Sequence, residues 1–305
     1  MLLIVRGGDR FVDAAVWMAS ASGVPPFVIG ATVVSAATTL PEIIVSVTAA
    51  LKGQADMAAG NAVGSVIANT ALILALSVIF LPVSVDRSRF LPKTLLLVGA
   101  ILLLWLSGLS GVLTPFGSLG LFLLFILYIY DSLCSAKAQR TVGEAAPPAD
   151  RRTAVTHILW FIAGAGGIIL GSRLLADNGT LLARDVLHID ERVVSLTMVA
   201  VGTSLPELVT AVSAVIKRQP AVTAGNILGA NTIDMLLILP LCALAQGGTL
   251  PIGRGTLWID LPFCLLATLI LLIPALVKRR FFRMQGVIAL LLYLAYTVLL
   301  FVTGA

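Results

Sequence analysis

Apolar stretches long enough to cross a bilayer follow one another along nearly the whole chain. A transmembrane helix needs about 20 mostly apolar residues, and only helices and closed barrels satisfy their backbone polar groups inside lipid. Charged residues make up 11% of the 305 residues, against about 25% in a soluble domain. The sequence therefore predicts an all-α membrane protein with the lipid bilayer as its solvent. The predicted segments are 1–21, 24–51, 56–83, 91–109, 112–131, 155–183, 192–216, 220–246, 256–277 and 284–303.

One motif occurs twice, as Thr-Thr-Leu-Pro-Glu at 38–42 and as Thr-Ser-Leu-Pro-Glu at 203–207. Further positions match at the same constant offset without gaps, which indicates a duplicated five-helix unit. Because five is odd, the second unit starts on the opposite side of the membrane, which is the inverted-repeat architecture of many secondary transporters. We predict ten transmembrane helices in two inverted five-helix repeats, 1–132 and 154–305, joined by a polar linker at 133–153. The other matched positions are Gly60-Asn61 with Gly225-Asn226, Gly64 with Gly229, and Asn69 with Asp234.

Lysine and arginine residues are distributed unequally between the two sides of this predicted topology. The loops on the side of the linker carry 13 of them and the loops on the other side carry 4. Cytoplasmic loops are the ones enriched in lysine and arginine. The linker is therefore predicted to be cytoplasmic and both termini to lie outside, with the chain as a multi-pass protein of the cell (inner) membrane.

Several classes of function do not fit the sequence. The net charge of +5 comes from short basic clusters in loops, without the interleaved aromatic residues of single-strand binders, so nucleic acid is not a predicted partner. The scattered cysteines Cys134, Cys242 and Cys264 form neither a disulfide framework nor a zinc motif. No nucleophile–base pair, catalytic aspartate dyad motif or set of metal-binding histidines indicates a membrane enzyme. Each repeat contains a helix that is broken by a proline. Such breaks in two inverted helix pairs suit a closed central site better than a continuous pore, so a channel is not predicted.

Three acidic residues, Glu42, Glu207 and Asp234, fall deep inside predicted helices. An ionised side chain at the bilayer centre costs about 2.5–3.5 kcal/mol on insertion scales. Their own segments place no lysine or arginine at the same depth. The missing positive charge is therefore predicted to be a bound cation.

The residues around the two glutamates favour a hard cation. Pro41 and Pro206 each precede a glutamate, and a proline inside a helix leaves the carbonyl four residues earlier without its N–H donor. Irregular backbone at membrane depth occurs where it lines a cavity or is buried in protein. Carboxylate, carbonyl and hydroxyl oxygens are the ligands that Ca²⁺ prefers. The hydroxyls nearest the glutamates belong to Thr38, Thr39, Thr203 and Ser204, and the next helix offers Ser65 and Asn69 on one face.

Some neighbouring residues allow two interpretations. Asn61 and Asn226 suit helix caps as well as ligands, and Ser65 suits a bond to its own backbone as well as a ligand role. Gly60, Gly64, Gly225 and Gly229 are predicted to let their helices approach the broken helices closely. The charged residues Asp9, Asp13, Arg10, Arg173 and Asp177 are predicted to form interfacial or intrahelical pairs.

Residues 203–207, followed by Gly225-Asn226 and by 229–234, closely resemble the second alpha-repeat of sodium/calcium exchangers, and residues 37–42 with 60–69 resemble the first. The resemblance implies that Glu42 and Glu207 are the Ca²⁺ carboxylates and that Thr38 and Thr203 give main-chain carbonyls. It further implies that Thr39, Ser204, Ser65, Asn69 and Asp234 complete the Na⁺ sites. Two residues depart from the family pattern, Ala230 in place of a serine and Ser35 in place of a small apolar residue.

The predicted function is a Na⁺/Ca²⁺ antiporter that works by alternating access, with Ca²⁺ and Na⁺ as transported substrates and no resident cofactor. Two alternatives use the same scaffold. In a Ca²⁺/H⁺ antiporter, protons on Glu42, Glu207 or Asp234 replace Na⁺. In a K⁺-dependent exchanger, K⁺ is an additional substrate, and an aspartate at the position of Asp234 resembles that branch.

Overall fold

The computed structural model describes residues 2–140, 150–181 and 200–303. Helices dominate these ranges because apolar chain in lipid satisfies its backbone hydrogen bonds locally. The helices are α1 Leu2–Ser22, α2 Pro26–Thr38, α3 Leu40–Leu51, α4 Ala55–Phe80, α5 Arg87–Gly108, α6 Pro115–Arg140, α7 Arg151–Leu181, α8 Ala200–Thr203, α9 Leu205–Ile216, α10 Pro220–Ala245, α11 Thr256–Lys278 and α12 Arg283–Thr303.

Within the described ranges, seven helices are long and apolar enough to cross a membrane, or eight if the bent α2–α3 pair is one span. The all-α membrane class is thereby confirmed. The remaining predicted spans differ for identifiable reasons. Helix α1 carries four charged residues, and the short helix α8 follows residues 182–199, which lie outside the described part of the chain. The count of ten therefore stays a prediction.

The predicted linker at 133–153 is shorter than its polar composition indicated. Helix α6 continues to Arg140 and α7 begins at Arg151. Residues such as Ala136 and Lys137 have good helix propensity. Helix α6 can therefore continue beyond the membrane surface. Helix ends therefore occupy part of the predicted linker, on both of its sides.

Two loop contacts join the first half of the chain to the second half. Strand β1 (Val112–Leu113) pairs antiparallel with β2 (Leu250–Pro251), with Leu113 opposite Leu250. Elsewhere Ser84 forms an isolated antiparallel bridge with Arg280. The sequence separation from Ser84 to Leu250, and that from Leu113 to Arg280, both nearly equal the offset of the duplicated motif. The duplication therefore extends to the loops.

Helices α4 and α10 lie at the centre of the molecule. Of their apolar spans, 72% and 83% are buried, against 17% for both α6 and α7. Helix α1 packs along α7, with Phe11 stacked on Phe161. Lys217 at the end of α9 binds Asp13 of α1 at 2.6 Å. The sequence predicted an interfacial or intrahelical pair for Asp13, and the pair that forms joins two helices.

Candidate functional site

The duplicated motif breaks a helix in each half. Helix α2 ends at Thr38 and α3 begins at Leu40, with a bend of 46° between them. Helix α8 ends at Thr203 and α9 begins at Leu205. Each proline lies in the first turn of the second helix, where its missing N–H removes no helical hydrogen bond of that helix. The glutamates therefore lie in the first turn of α3 and α9, near the positive end of a helix dipole.

The three predicted acids are all buried. Glu42 is 1% exposed, and Glu207 and Asp234 are fully buried. Both carboxyl oxygens of Glu42 and of Asp234, and Oε2 of Glu207, have no hydrogen-bond partner. The hydroxyl of Thr39, three residues before Glu42, lies beside Glu207 Oε1, so the two glutamates lie near the same pair of helix breaks. The ion pairs formed by described lysine and arginine residues lie elsewhere.

Neutral oxygens accompany the acids. The side chains of Ser65 and Asn69 are fully buried and have no hydrogen-bond partner, and the hydroxyl of Ser204 is likewise buried and unpartnered. Buried polar groups in proteins are almost always hydrogen-bonded. Ser65 does not bond its own backbone, which removes one of the two interpretations of that residue. A concentration of unsatisfied oxygens at one place is the arrangement expected of a site for a cation.

Two crossed hydrogen bonds connect the halves. The Thr38 hydroxyl donates to Asn226 Oδ1 at 3.2 Å, and the Thr203 hydroxyl donates to Asn61 Oδ1 at 3.3 Å. Asn61 and Asn226 lie inside α4 and α10, so neither is a helix cap. The structure assigns them a role that the sequence left open, because each holds a motif threonine of the opposite half.

Sequence reasoning missed the residues that orient these amides. Asn61 Nδ2 donates to the Ser46 hydroxyl of α3 at 2.9 Å, and Asn226 Nδ2 donates to the Thr210 hydroxyl of α9 at 3.0 Å. Ser46 and Thr210 each lie one helical turn after the motif glutamate. A buried hydroxyl one turn after each glutamate was the available signal, although a lone serine or threonine in a helix usually bonds its own backbone.

A further contact brings Thr39 and Glu207 together. The Thr39 hydroxyl is 3.5 Å from Glu207 Oε1, at the outer limit of a hydrogen bond. Thr39 belongs to the first half and Glu207 to the second, so the helix breaks of the two halves face each other. The predicted Ca²⁺ and Na⁺ ligands therefore come from both halves and lie at their interface.

The helices beside the broken ones contain π-helical turns. Asn69 lies in the π turn Ala68–Leu74 of α4, and Asp234 begins the π turn Asp234–Ile238 of α10. Such turns are rare and occur frequently at functional sites. The predicted equivalence of Asn69 and Asp234 therefore holds in the backbone as well as in the sequence.

The four predicted contact glycines are not equivalent. A Cβ on Gly225 would overlap the Phe27 carbonyl oxygen of α2, and a Cβ on Gly229 would lie 2.7 Å from that of Ala31. Gly60 has open space at the same place. The close approach is thus found where α10 crosses α2, and the prediction for Gly60 is wrong.

The donors at this site are oxygen atoms. Within the described residues, no three histidine, cysteine, aspartate or glutamate side chains converge as a metal cluster. The carboxylates therefore depend on hydroxyl, amide and main-chain oxygens between them to surround an ion. Oxygen-only donor sets of this kind bind hard cations such as Ca²⁺ and Na⁺ and not soft transition metals.

Comparisons with known proteins agree with this chemistry. The family model described as "Sodium/calcium exchanger protein" matches residues 1–133 and 156–302. The chain is 38% identical over 267 residues to the inner membrane protein YrbG of Escherichia coli, covering 81% of this chain and 78% of that protein. It is 30% identical over 310 residues to the putative antiporter CaxA of Alkalimonas amylolytica, covering 99% and 96%. A solved structure of the sodium-calcium exchanger NCX_Mj, soaked with Na⁺ and Sr²⁺, matches with a TM-score of 0.83 and 29% identity, covering 96% and 94%.

Proposed function

The chain belongs to the sodium/calcium exchanger family, and we propose that it is a secondary antiporter that exchanges Ca²⁺ for Na⁺ by alternating access. The observation that carries this proposal is a set of three buried carboxyls that have no lysine or arginine partner in the described part of the chain. A buried charge needs compensation, and a transported cation supplies it. Relatives named as an antiporter and as a sodium-calcium exchanger support the same class of activity.

In this proposal Glu42 and Glu207 neutralise Ca²⁺, and Thr38 and Thr203 supply main-chain carbonyls. The Na⁺ ligands come from Thr39, Ser204, Ser65, Asn69 and Asp234. The Ca²⁺ set lies at the two helix breaks, where Thr39 and Ser204 of the Na⁺ set also lie, so that Ca²⁺ and Na⁺ compete for overlapping oxygens. Binding of one cation then favours release of the other, which is the requirement for exchange.

The proposed architecture is a pair of inverted five-helix repeats with the site at their interface. The crossed bonds between Thr38 and Asn226 and between Thr203 and Asn61 support it, because the repeat offset relates each residue of one bond to a residue of the other. The paired loop contacts at Ser84 and Leu250 support it in the same way. Inverted repeats allow one half to rock against the other around a fixed central site.

Radiolabelled Ca²⁺ uptake into proteoliposomes tests the function. Vesicles containing the purified protein receive an imposed Na⁺, H⁺ or K⁺ gradient in separate experiments. We expect Na⁺ loaded inside to drive Ca²⁺ uptake. Uptake driven by a proton gradient alone would replace this proposal with a Ca²⁺/H⁺ antiporter, and a requirement for K⁺ would indicate the K⁺-dependent exchanger.

The topology is tested with one cysteine at Ser135, after Cys134 has been replaced. Ser135 lies near the end of α6, beside an exposed Cys134. The excess of positive charge on this side predicts that the segment is cytoplasmic. An impermeant thiol reagent should label the new cysteine in inverted vesicles but not in intact cells, and the opposite pattern would contradict the orientation.

Ala230 is expected to weaken Na⁺ binding. Its side chain is fully buried on α10, and the repeat offset matches it to Ser65, whose buried hydroxyl has no hydrogen-bond partner. A methyl group at this place offers no oxygen to a Na⁺ ion that has lost its water. Ala230→Ser should raise the apparent Na⁺ affinity about threefold to tenfold, the value of one polar contact, and leave Ca²⁺ affinity nearly unchanged. Ca²⁺ flux against Na⁺ concentration at fixed pH measures this, and coincident curves would show that position 230 does not contact the counter-ion.

A further inference from the structure

Helices α11 and α12 hold a half-buried acid that the central site does not use. Asp260 ends the π-helical first turn of α11, Thr256–Asp260. The Tyr296 hydroxyl of α12 donates to Asp260 Oδ1 at 2.7 Å, and the Thr256 hydroxyl lies beside the same carboxyl. No lysine or arginine within the described ranges forms an ion pair with it. Asp260 is thus a carboxyl with neutral hydroxyl partners and no counter-ion.

In the first half, a charged residue also lies beside a tyrosine at the corresponding positions, but there the charge has a partner of opposite sign. Lys93 of α5 is fully buried, binds Asp131 of α6 at 2.5 Å and lies 5.3 Å from the centre of the Tyr128 ring. Lys93 is separated from Asp260, and Tyr128 from Tyr296, by nearly the same sequence distance as the paired loops. Each half therefore packs a charged residue of one helix against a tyrosine of the next. The first half supplies a counter-ion, and the second half does not.

We propose that Asp260 is a proton-binding site, separate from the central cation site and open to the outer side of the membrane. A proton is the ligand that this place can hold. One carboxyl and two hydroxyls are too few oxygens for Ca²⁺, which takes about 6–8 oxygen ligands in proteins. A half-buried carboxyl without a positive partner can be neutralised by protonation at modest cost. The outer location follows from the orientation in the proposed function, on which this inference rests.

Polar side chains connect Asp260 with the central site. Thr256, Asp260, Cys264 and Thr268 recur at every fourth position, which places them on one face of α11. The Cys264 thiol is buried on this face, with Cys264 only 1% exposed. Thr268 is fully buried and its hydroxyl has no hydrogen-bond partner. Through this face, a negative charge on Asp260 acts on the cation held by Asp234, and it favours that cation by Coulomb attraction.

Few other ionisable groups surround Asp260. At this end of the two helices the other ionisable groups are Tyr293 and Tyr296 on α12 and Cys264 on α11, and the exposed Arg254 lies just before α11. Helix α4 contributes only Asp56, at the point where it approaches Gly253. The ionisable residues of α5 are confined to its first two turns, at the opposite end of the neighbouring helix. A pH dependence that arises at this end of α11 is therefore assigned to Asp260.

The experiment compares wild type with Asp260→Asn in proteoliposomes, with Asp56→Asn as the control for an exposed acid on the same side. The apparent Na⁺ affinity is measured against outer pH. In wild type, we expect the apparent Na⁺ affinity to rise about threefold to tenfold as Asp260 loses its proton. The same increase is expected in Asp56→Asn. In Asp260→Asn the increase should be absent. Tyr296→Phe should move the midpoint to higher pH, because the carboxylate loses a hydrogen-bond donor. An unchanged pH dependence in Asp260→Asn would overturn the inference.

A second measurement separates this inference from the proposed function. Infrared difference spectra of the purified protein, recorded between low and high pH, report the C=O stretching band of a protonated carboxyl. The band of Asp260 should be missing in Asp260→Asn and should titrate at higher pH in Tyr296→Phe. Persistence of the complete band in Asp260→Asn would contradict the proton site even if exchange is observed. Absence of Na⁺-driven Ca²⁺ uptake in wild type, with the band assigned to Asp260, would contradict only the proposed function.

Discussion

Glu207→Gln is expected to abolish Ca²⁺ exchange while leaving the protein folded. The substitution keeps the size of a fully buried side chain and removes one of the two carboxylates that we assign to Ca²⁺. Removing one partner of a buried, compensated charge costs about 3–5 kcal/mol, which is more than about 100-fold in affinity. Radiolabelled Ca²⁺ uptake driven by Na⁺ is the measurement. Glu42→Gln should have the same effect, because the repeat places both glutamates in the first turn after a helix break.

The control for these substitutions is Asp56→Asn. Asp56 lies in the first turn of α4, is exposed and is absent from the proposed site. Its neutralisation changes the net charge by the same amount as Glu207→Gln, so a general electrostatic effect would appear in both variants. Wild-type uptake in Glu207→Gln, with correct folding shown by an unchanged elution profile, would remove this residue from the Ca²⁺ site.

Gly225→Ala is expected to destabilise the protein strongly and to eliminate transport. The added Cβ would overlap the Phe27 carbonyl oxygen and lie 2.9 Å from the Ala31 nitrogen. These are backbone atoms of α2, so no side chain can rotate away. Overpacking typically costs about 1–3 kcal/mol, and here the two helices must separate. Because Asn226 follows Gly225, the separation also breaks the contact with Thr38.

Gly60→Ala is the matched control, since the repeat offset pairs Gly60 with Gly225. A Cβ at Gly60 meets no atom within 4 Å, and alanine is about 1 kcal/mol more favourable than glycine inside a helix. We expect Gly60→Ala to be folded, active and at least as thermally stable as wild type. Thermal unfolding in detergent and Ca²⁺ flux measure the pair. Equal losses in the two variants would show that α10 does not approach α2 as described.

The helix breaks and the central acids were predictable from the sequence, whereas the environment of Asp260 was not. The duplicated motif was sufficient to locate the helix breaks, because a proline has the same local effect in any helix that contains it. The acids were identifiable for a similar reason, since an ionised residue deep in an apolar segment is costly wherever the segment packs. Asp260 was not recognised as a further acid of interest, because it lies close to the end of its segment and its partial burial depends on α12.

The sequence by itself determined the membrane class, the duplication and the candidate ligands, because bilayer length, the repeat offset and helix breaking are local properties of the chain. Only the tertiary structure decided which of these residues meet. It showed that Asn61 and Asn226 hold threonines of the opposite half, and that Gly225 is in tight contact where its repeat partner Gly60 is not. Contacts between residues of opposite halves depend on how the helices pack, and two copies of one motif are free to pack differently.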